Sequence, residues 1–369
     1  MTIHVVCLDG TGQVKTQDHP TNIAEIFDCL GRNATDAGNG SWEVTSPPDT
    51  PPEMGKYLPG VGTQGNAILE FLGKAFGDGI AEQIIRGYTF LSRNYAAGDQ
   101  VFIVGFSRGA AAARALAGFV AIKGLLDPTR YDPTNKDSAY VRAIAAWYQY
   151  RSGNPALANQ ARLGEIPLGP GQVVPQLTPD DYVEIASIQA IGVFDTVSSL
   201  GVPNIGPDGR AIYDFNICDT VLNPKVLNGF QALAADEIRT VFAPTYWTPR
   251  GGILQSIFPG SHSNVGGGYP EKGLSDGALE WMIDQLAGVG LNVAIPPPAA
   301  PFALDTARDD SVQWPYYLMQ NPPRRFPVSA TVDPSLAARW GQQVLVMTAG
   351  ISGPYAAKGA YEDGRPLHP

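Results

Sequence analysis

Three observations predict an α/β fold, a mostly parallel sheet flanked by helices. Short apolar, β-rich runs recur at Ile3 to Leu8, Val101 to Val104, Val183 to Phe194 and Leu254 to Phe258. Such runs read as strands buried on both faces. Helical patterns lie between them, the alternation that parallel crossovers require. The stretch QVFIVGFSRGAAAARALAG, Gln100 to Gly118, then sets a strand, a tight turn and an alanine-rich helix end to end.

That turn, Gly105-Phe106-Ser107-Arg108-Gly109, is a G-x-S-x-G pattern in the context of a nucleophile elbow. Ser107 would project above the sheet at the start of the following helix. A side chain at either glycine would collide with the neighbouring strand or helix. The helix start adds partial positive charge and amides, making the Arg108 N–H a candidate oxyanion donor. A second match at Gly273-Leu274-Ser275-Asp276-Gly277 follows no apolar strand and precedes an amphipathic run. Ser275 therefore reads as a helix N-cap.

Taken in order, Ile3 to Leu8 is the first strand and ends at Asp9-Gly10-Thr11-Gly12. Ligands in open α/β sheets collect beyond the carboxyl ends of strands. The loop is thus a candidate wall of the site, with Gly10 or Thr11 amides as half of an oxyanion hole and Asp9 as a candidate substrate contact. The competing reading is a turn in which Asp9 bonds only its own backbone. Asn22 to Leu30 reads as a helix. Thr35 to Pro59, rich in Gly, Pro, Ser and Thr, reads as an irregular loop around at most a short strand. Gly60-Val61-Gly62-Thr63 lacks the lysine of a phosphate-binding loop, which argues against a nucleotide. Ile80 to Tyr95 is an amphipathic helix leading through Gly98-Asp99 into the nucleophile strand.

Beyond the elbow helix, Asp127 to Pro179 is polar and Pro-rich, broken by one helix from about Ser138 to Tyr150. It is expected to form a cap-like insertion at about 127–179, with Tyr140, Trp147 and Tyr148 either lining it or simply packing. Val183 to Phe194 delivers Asp195 at the edge Ser107 faces, making it the candidate acid that orients a histidine. Asn204 to Asn223 is loop-like, and Val226 to Ala235 looks helical. Asp236, Glu237 and Arg239 read as a structural ion-pair cluster before a strand at Val241 to Trp247. Leu254 to Phe258 ends at a Gly-rich loop that carries His262. Of four histidines, His4 lies inside a strand, His368 is next to the last residue and His19 precedes a proline. His19 stays open as an alternative, and His262, in a Gly-rich loop that could approach Ser107, is the leading candidate base; the order Ser, Asp, His suits a triad. Leu274 to Leu286 is a helix, and the tail from about 296 is Pro-rich and irregular, with Trp314 to Tyr317 and Pro322 to Arg325 able to wrap back.

Length fits a single domain over 1–369 with insertions. A net charge of −10 argues against nucleic acid or an anionic surface held by electrostatics, but not against a lipid reached through apolar contacts. Cys7, Cys29 and Cys218 are scattered and odd in number, so no disulfide framework or zinc site is implied. There is no basic leader and no apolar run long enough to span a bilayer, so a cytoplasmic protein is the default expectation, with export lacking a cleaved signal left open.

Several stretches together resemble a known family: LDGTGQ at Leu8, LPGVGT at Leu58, the elbow block at Gly98, GVFDTVSSLG at Gly192, ALAADEIRTVFAPTYW at Ala232, PGSHSNVGGGYP at Pro259 and LSDGALEWM at Leu274. They are similar, in order, to the blocks of the uncharacterised α/β-hydrolase family (DUF2235) that includes phospholipase effectors of type VI secretion. The resemblance implies an α/β-hydrolase fold and a serine esterase site with Ser107 as nucleophile, Asp195 as acid and His262 as base. One departure is Asn264, where many relatives carry Asp. An amide cannot stabilise an imidazolium by charge, which favours Asp195 as the acid.

The expected chemistry is acyl transfer from a small-molecule or lipid ester, with phospholipids among the candidates, and it requires no metal or organic cofactor. Phe106 and Asn264 are further candidate substrate contacts. Arg108 and Arg114 are expected to brace the elbow by ion pairs, with direct phosphate contact as the alternative. Two other readings compete: a metal-dependent phosphoester hydrolase using Asp9, Asp195, His262 and Asn264, and a non-catalytic binding protein on a hydrolase scaffold.

Overall fold

The strand Ile3–Leu8 (β1) has no polar face. Ile3, Val5 and Cys7 enter one core while Val6 and Leu8 enter another on the opposite side. The strand Gln100–Phe106 (β5) divides the same way, Val101 and Ile103 against Phe102, Val104 and Phe106. This double burial is why a continuous apolar run here is a central parallel strand. Each fully buried Val, Leu, Ile or Phe contributes about 1.5–3 kcal/mol.

The computed structural model describes residues 1–31, 33–46, 52–61, 76–153, 166, 168–169, 171–197, 204–205, 211–212, 220–239, 242–291, 293, 306–307, 320, 322–346 and 350–367. In chain order, β1 is followed by α1 (Asn22–Cys29), β2 (Thr35–Gly38), β3 (Ser41–Thr45), β4 (Glu53–Leu58), α2 (Phe76–Asn94), β5 and α3 (Arg108–Lys123). Next come β6 (Leu125–Leu126), α4 (Lys136–Gly153), β7 (Tyr182–Val183), β8 (Ile188–Phe194), β9 (Asn204–Ile205), β10 (Ala211–Ile212), β11 (Val226–Ala234) and β12 (Ile253–Phe258). The chain continues through α5 (His262–Gly266), α6 (Gly273–Ala287), β13 (Arg325–Phe326), β14 (Thr331–Val332) and α7 (Pro334–Arg339), then β15 (Gln343–Val346), β16 (Ile351–Pro354) and β17 (Ala360–Tyr361).

Nine strands form one sheet in the order β14-β12-β11-β8-β5-β1-β4-β3-β2. All neighbours are parallel except the β2–β3 and β3–β4 pairs. Helices α2, α3 and α4 cover one face, and α1 and α6 the other. This is the α/β-hydrolase-like architecture that the sequence predicts. The chain leaves β1 for β4 on one side and returns to β5 on the other. The carboxyl ends of β1 and β5 therefore flank a topological switch point, where ligand sites of open α/β sheets lie.

Several local expectations are corrected. Val226 to Ala235 is not helical: β11 pairs in register with β8 and β12, and its last six residues are buried inside the sheet. Thr35 to Pro59 is not mainly loop, since it supplies β2, β3 and β4, and β4 sits beside β1. Among the described residues of Val241 to Trp247 there is no strand, only a bridge from Pro244 to Val197. The tail is not irregular throughout, because β14 extends the main sheet at β12. Of the two alternatives for Trp147 in α4, the packing one is observed: it is buried against Phe119 and Tyr150. Ser275 is not an N-cap. It lies inside α6, whose cap is Lys272, and its hydroxyl donates to the Lys272 carbonyl. Residues 62–63, 198–200, 314–317, Cys218 and His368 lie outside the described residues.

Candidate active site

Ser107 follows β5 directly and has φ 59° and ψ −122°, a conformation that costs of order 1–3 kcal/mol in a residue with a side chain. The turn is held from both sides: its N–H donates to the Phe194 carbonyl at 3.0 Å, and its carbonyl accepts from Val197 at 3.1 Å. A Cβ at Gly105 would lie 2.5 Å from the Gly109 carbonyl oxygen, and one at Gly109 would lie 2.2 Å from that of Leu8. Both contacts are backbone, so neither can yield. Gly109→Ala is accordingly expected to cost at least about 3 kcal/mol, read as a lowered urea midpoint. Although Ser107 is the N-cap of α3, its hydroxyl makes no capping bond and is left for other chemistry.

Asp195 directly follows β8 in a second positive-φ conformation, φ 41°. Only three non-glycine residues among those described have positive φ, and two of them are Ser107 and Asp195. Concentrated strain of this kind marks a site whose side chains are held by their surroundings. His262 opens α5 just beyond β12. Its Nδ1 lies 2.6 Å from Asp195 Oδ2, and its Nε2 is buried with no hydrogen-bond partner among the described residues. With the carboxylate on Nδ1, that nitrogen carries the proton and Nε2 is the acceptor, the tautomer a general base needs. The ring is clamped between Phe106 and Phe242, each 4.6 Å away between centroids. A Cβ at Gly266 would fall 2.0 Å from the Phe106 ring, so that glycine is what lets α5 approach.

Burial alone would raise the Asp195 carboxyl. The adjacent Arg324 guanidinium and the His262 hydrogen bond outweigh it and hold the group well below the usual carboxylate range. Burial lowers His262, against the raising effect of Asp195. Arg324 Nη1 meets Asp195 Oδ1 at 2.6 Å and Nη2 meets Oδ2 at 3.0 Å, a buried bidentate pair. The Pro322 to Arg325 run thus does wrap back, but nothing local in the sequence marks Arg324 as a partner of the acid 129 positions away. Glu237 and Arg239 form the expected ion pair, at 2.7 Å. Burial would raise Glu237, and Arg239 brings it down to about 2. Its Oε2 also accepts from the backbone N–H of His262 at 3.2 Å, a contact to the site that the sequence reading did not anticipate.

The loop after β1 differs from expectation. Asp9 is buried and accepts from Gly10 N at 2.7 Å and from the Thr21 and Tyr57 hydroxyls at 2.6 Å each. Burial pushes its carboxyl up to about 6 against these donors. Asp9 therefore pins the loop instead of offering itself to a substrate, and the Gly10 amide is already engaged. The Thr11 hydroxyl is buried with no hydrogen-bond partner among the described residues. Asn264 also turns inward, its Oδ1 accepting from Ser261 N and Oγ at 3.1 Å to cap α5. Phe106 is buried against His262. Arg114 donates to the Thr245 carbonyl at 2.7 Å and lies over the Trp247 ring. Of the donors the metal reading requires, Asp195 and His262 bond each other while Asp9 and Asn264 accept from groups elsewhere, and among the described residues no group of three or more His, Cys, Asp or Glu side chains is placed to hold a metal ion.

Residues 3–285, about three quarters of the chain, match the family model described as "T6SS, Phospholipase effector Tle1-like, catalytic domain". The chain belongs to this family. Two solved structures are similar to it: the Tle1 effector bound to the VgrG spike of the type VI secretion system, and an uncharacterised protein from Pseudomonas aeruginosa. The first has a TM-score of 0.40 at 19% identity, covering 73% of this chain and 52% of that one. The second has a TM-score of 0.42 at 18% identity, covering 82% and 48%. An uncharacterised protein of Saccharomyces cerevisiae is 29% identical over 135 residues, 33% of this chain and 18% of that protein. The chain spans about half the length of the two solved structures and less than a fifth of the yeast protein. The Tle1-like span holds Ser107, Asp195 and His262, whereas Arg324 lies beyond it.

Proposed function

We propose that this protein is a serine hydrolase of carboxylic esters, with lipid esters, phospholipids among them, as the substrate class. The observation that carries the reading is the 2.6 Å bond from His262 to Asp195, which leaves Nε2 buried and unpartnered at the sheet edge where Ser107 sits. Membership of the Tle1-like phospholipase family supports lipid esters over other acyl compounds. On this reading His262 Nε2 takes the Ser107 proton as the hydroxyl oxygen attacks the ester carbonyl. The amides at Arg108 and Thr11 hold the oxyanion. His262 then protonates the leaving alcohol, and water, activated by the same nitrogen, releases the acid from Ser107. Asp195 keeps the ring in the productive tautomer and stabilises the imidazolium.

The base must be neutral to act, so the rate falls as pH drops through its folded-state value. Since burial lowers His262, kcat/KM for a p-nitrophenyl ester is expected to stay flat through neutrality and decline only below about pH 6.5. An acid limb centred above pH 7 would count against His262 as the base. Chain length decides the substrate class. Preference for palmitate over acetate esters, with fatty acid released from phosphatidylcholine vesicles, is the expected profile; turnover of acetate alone would reduce the proposal to a soluble-ester hydrolase.

A further inference from the structure

The acid of the site is more heavily engaged than orienting a histidine requires. Asp195 Oδ2 faces His262 Nδ1 and Arg324 Nη2, while Oδ1 accepts from Arg324 Nη1 and from Ala234 N at 3.0 Å. The guanidinium is fixed in turn: Nη1 donates to the Ala234 carbonyl at 2.8 Å and Nη2 to that of Phe242 at 2.7 Å. One side chain thus ties the acid to the end of β11 and to Phe242, whose ring walls His262. The charged groups around His262 are Asp195 after β8, Glu237 and Arg239 after β11, and Arg324 before β13. Arg239 pairs with Glu237, and Arg324, whose charge also reaches Glu237, is the guanidinium in direct contact with Asp195.

We propose that Arg324 is a positioning residue of the site: its guanidinium sets the Asp195 carboxylate in the orientation His262 uses and balances its charge, so that the base stays neutral until substrate arrives. This rests on the serine-hydrolase reading above. A carboxylate facing imidazole alone would draw a proton onto the ring and hold it there, disabling Nε2 as an acceptor. Shared with a guanidinium, the same carboxylate still orients the ring but attracts its proton less. The segment carrying Arg324 lies outside the residues 3–285 of the family match, so on this inference the later part of the chain completes the site.

The test is the pH dependence of fluorophosphonate labelling at Ser107 in wild type, Arg324→Lys and Arg324→Met. Arg324 borders a cavity of about 380 Å³, so water can enter when the side chain is shortened. In Arg324→Met the acid limb should move up by about one pH unit, because the ring now holds its proton more tightly. Arg324→Lys keeps the charge without the fork, so its limb should coincide with wild type while the maximal labelling rate falls. A limb in Arg324→Met that coincides with wild type, whatever its maximal rate, would show a structural strut and overturn the proposal. Should that variant not be recovered folded, Arg324→Gln replaces it in the same comparison: a limb displaced upward from wild type supports the inference and one that coincides with wild type overturns it. Absence of labelling in wild type at every pH is a different result, since it removes the serine-hydrolase reading itself.

Discussion

Ser107→Ala is expected to lower ester turnover by at least about 10³-fold while the fold survives. Loss of the hydroxyl removes the atom that bonds the acyl group, and neither the amides nor His262 can replace it. The cost to folding is small because the hydroxyl is not spent on capping α3. Ser107→Gly should give the same loss of turnover with a gain of about 1 kcal/mol in stability, since glycine adopts φ 59° without strain. The two variants together separate catalytic loss from unfolding. Appreciable turnover in both would mean that the strained turn has some purpose other than presenting a nucleophile.

The second large effect is Asp195→Asn. It should cut kcat by about 10³- to 10⁴-fold, because an amide lets His262 adopt the wrong tautomer and cannot balance an imidazolium. Here the substitution also strands Arg324, whose buried guanidinium loses the carboxylate at 2.6 and 3.0 Å. Removing one partner of a buried pair costs about 3–5 kcal/mol, so a marked fall in urea midpoint should accompany the loss of rate. The double variant Asp195→Asn/Arg324→Met should recover much of that stability without recovering activity. If Asp195→Asn were as stable as wild type, the buried ion pair would not have the role in folding assigned to it.

The elbow was legible in the sequence because its requirements are local: a strand, two glycines at fixed offsets and a helix start. Asp195 and His262 were legible for a related reason, since each follows an apolar strand and the carboxyl ends of parallel strands share one edge. The failures have physical causes too. VLNGFQALA in β11 is apolar and alanine-bearing, and a short buried run carries no period that separates a strand from a helix. What decides it is pairing with β8 and β12 on both sides, which is non-local. The segment 35–59 is polar because β2 and β3 lie at the sheet edge, where one face need not be apolar. Arg324 was out of reach because its meaning lies in a contact 129 residues away. For Asp9, Gly10 and Asn264 the chain position was legible but the hydrogen bonds were not: they turn these groups into the loop and the helix cap.

Covalent labelling of the intact protein with a fluorophosphonate, located by mass spectrometry, tests the central claim most directly. The account predicts one adduct, on Ser107, formed readily in wild type and lost in His262→Ala. An adduct on another serine such as Ser275, or ester turnover by a protein whose Ser107 does not label, would contradict it.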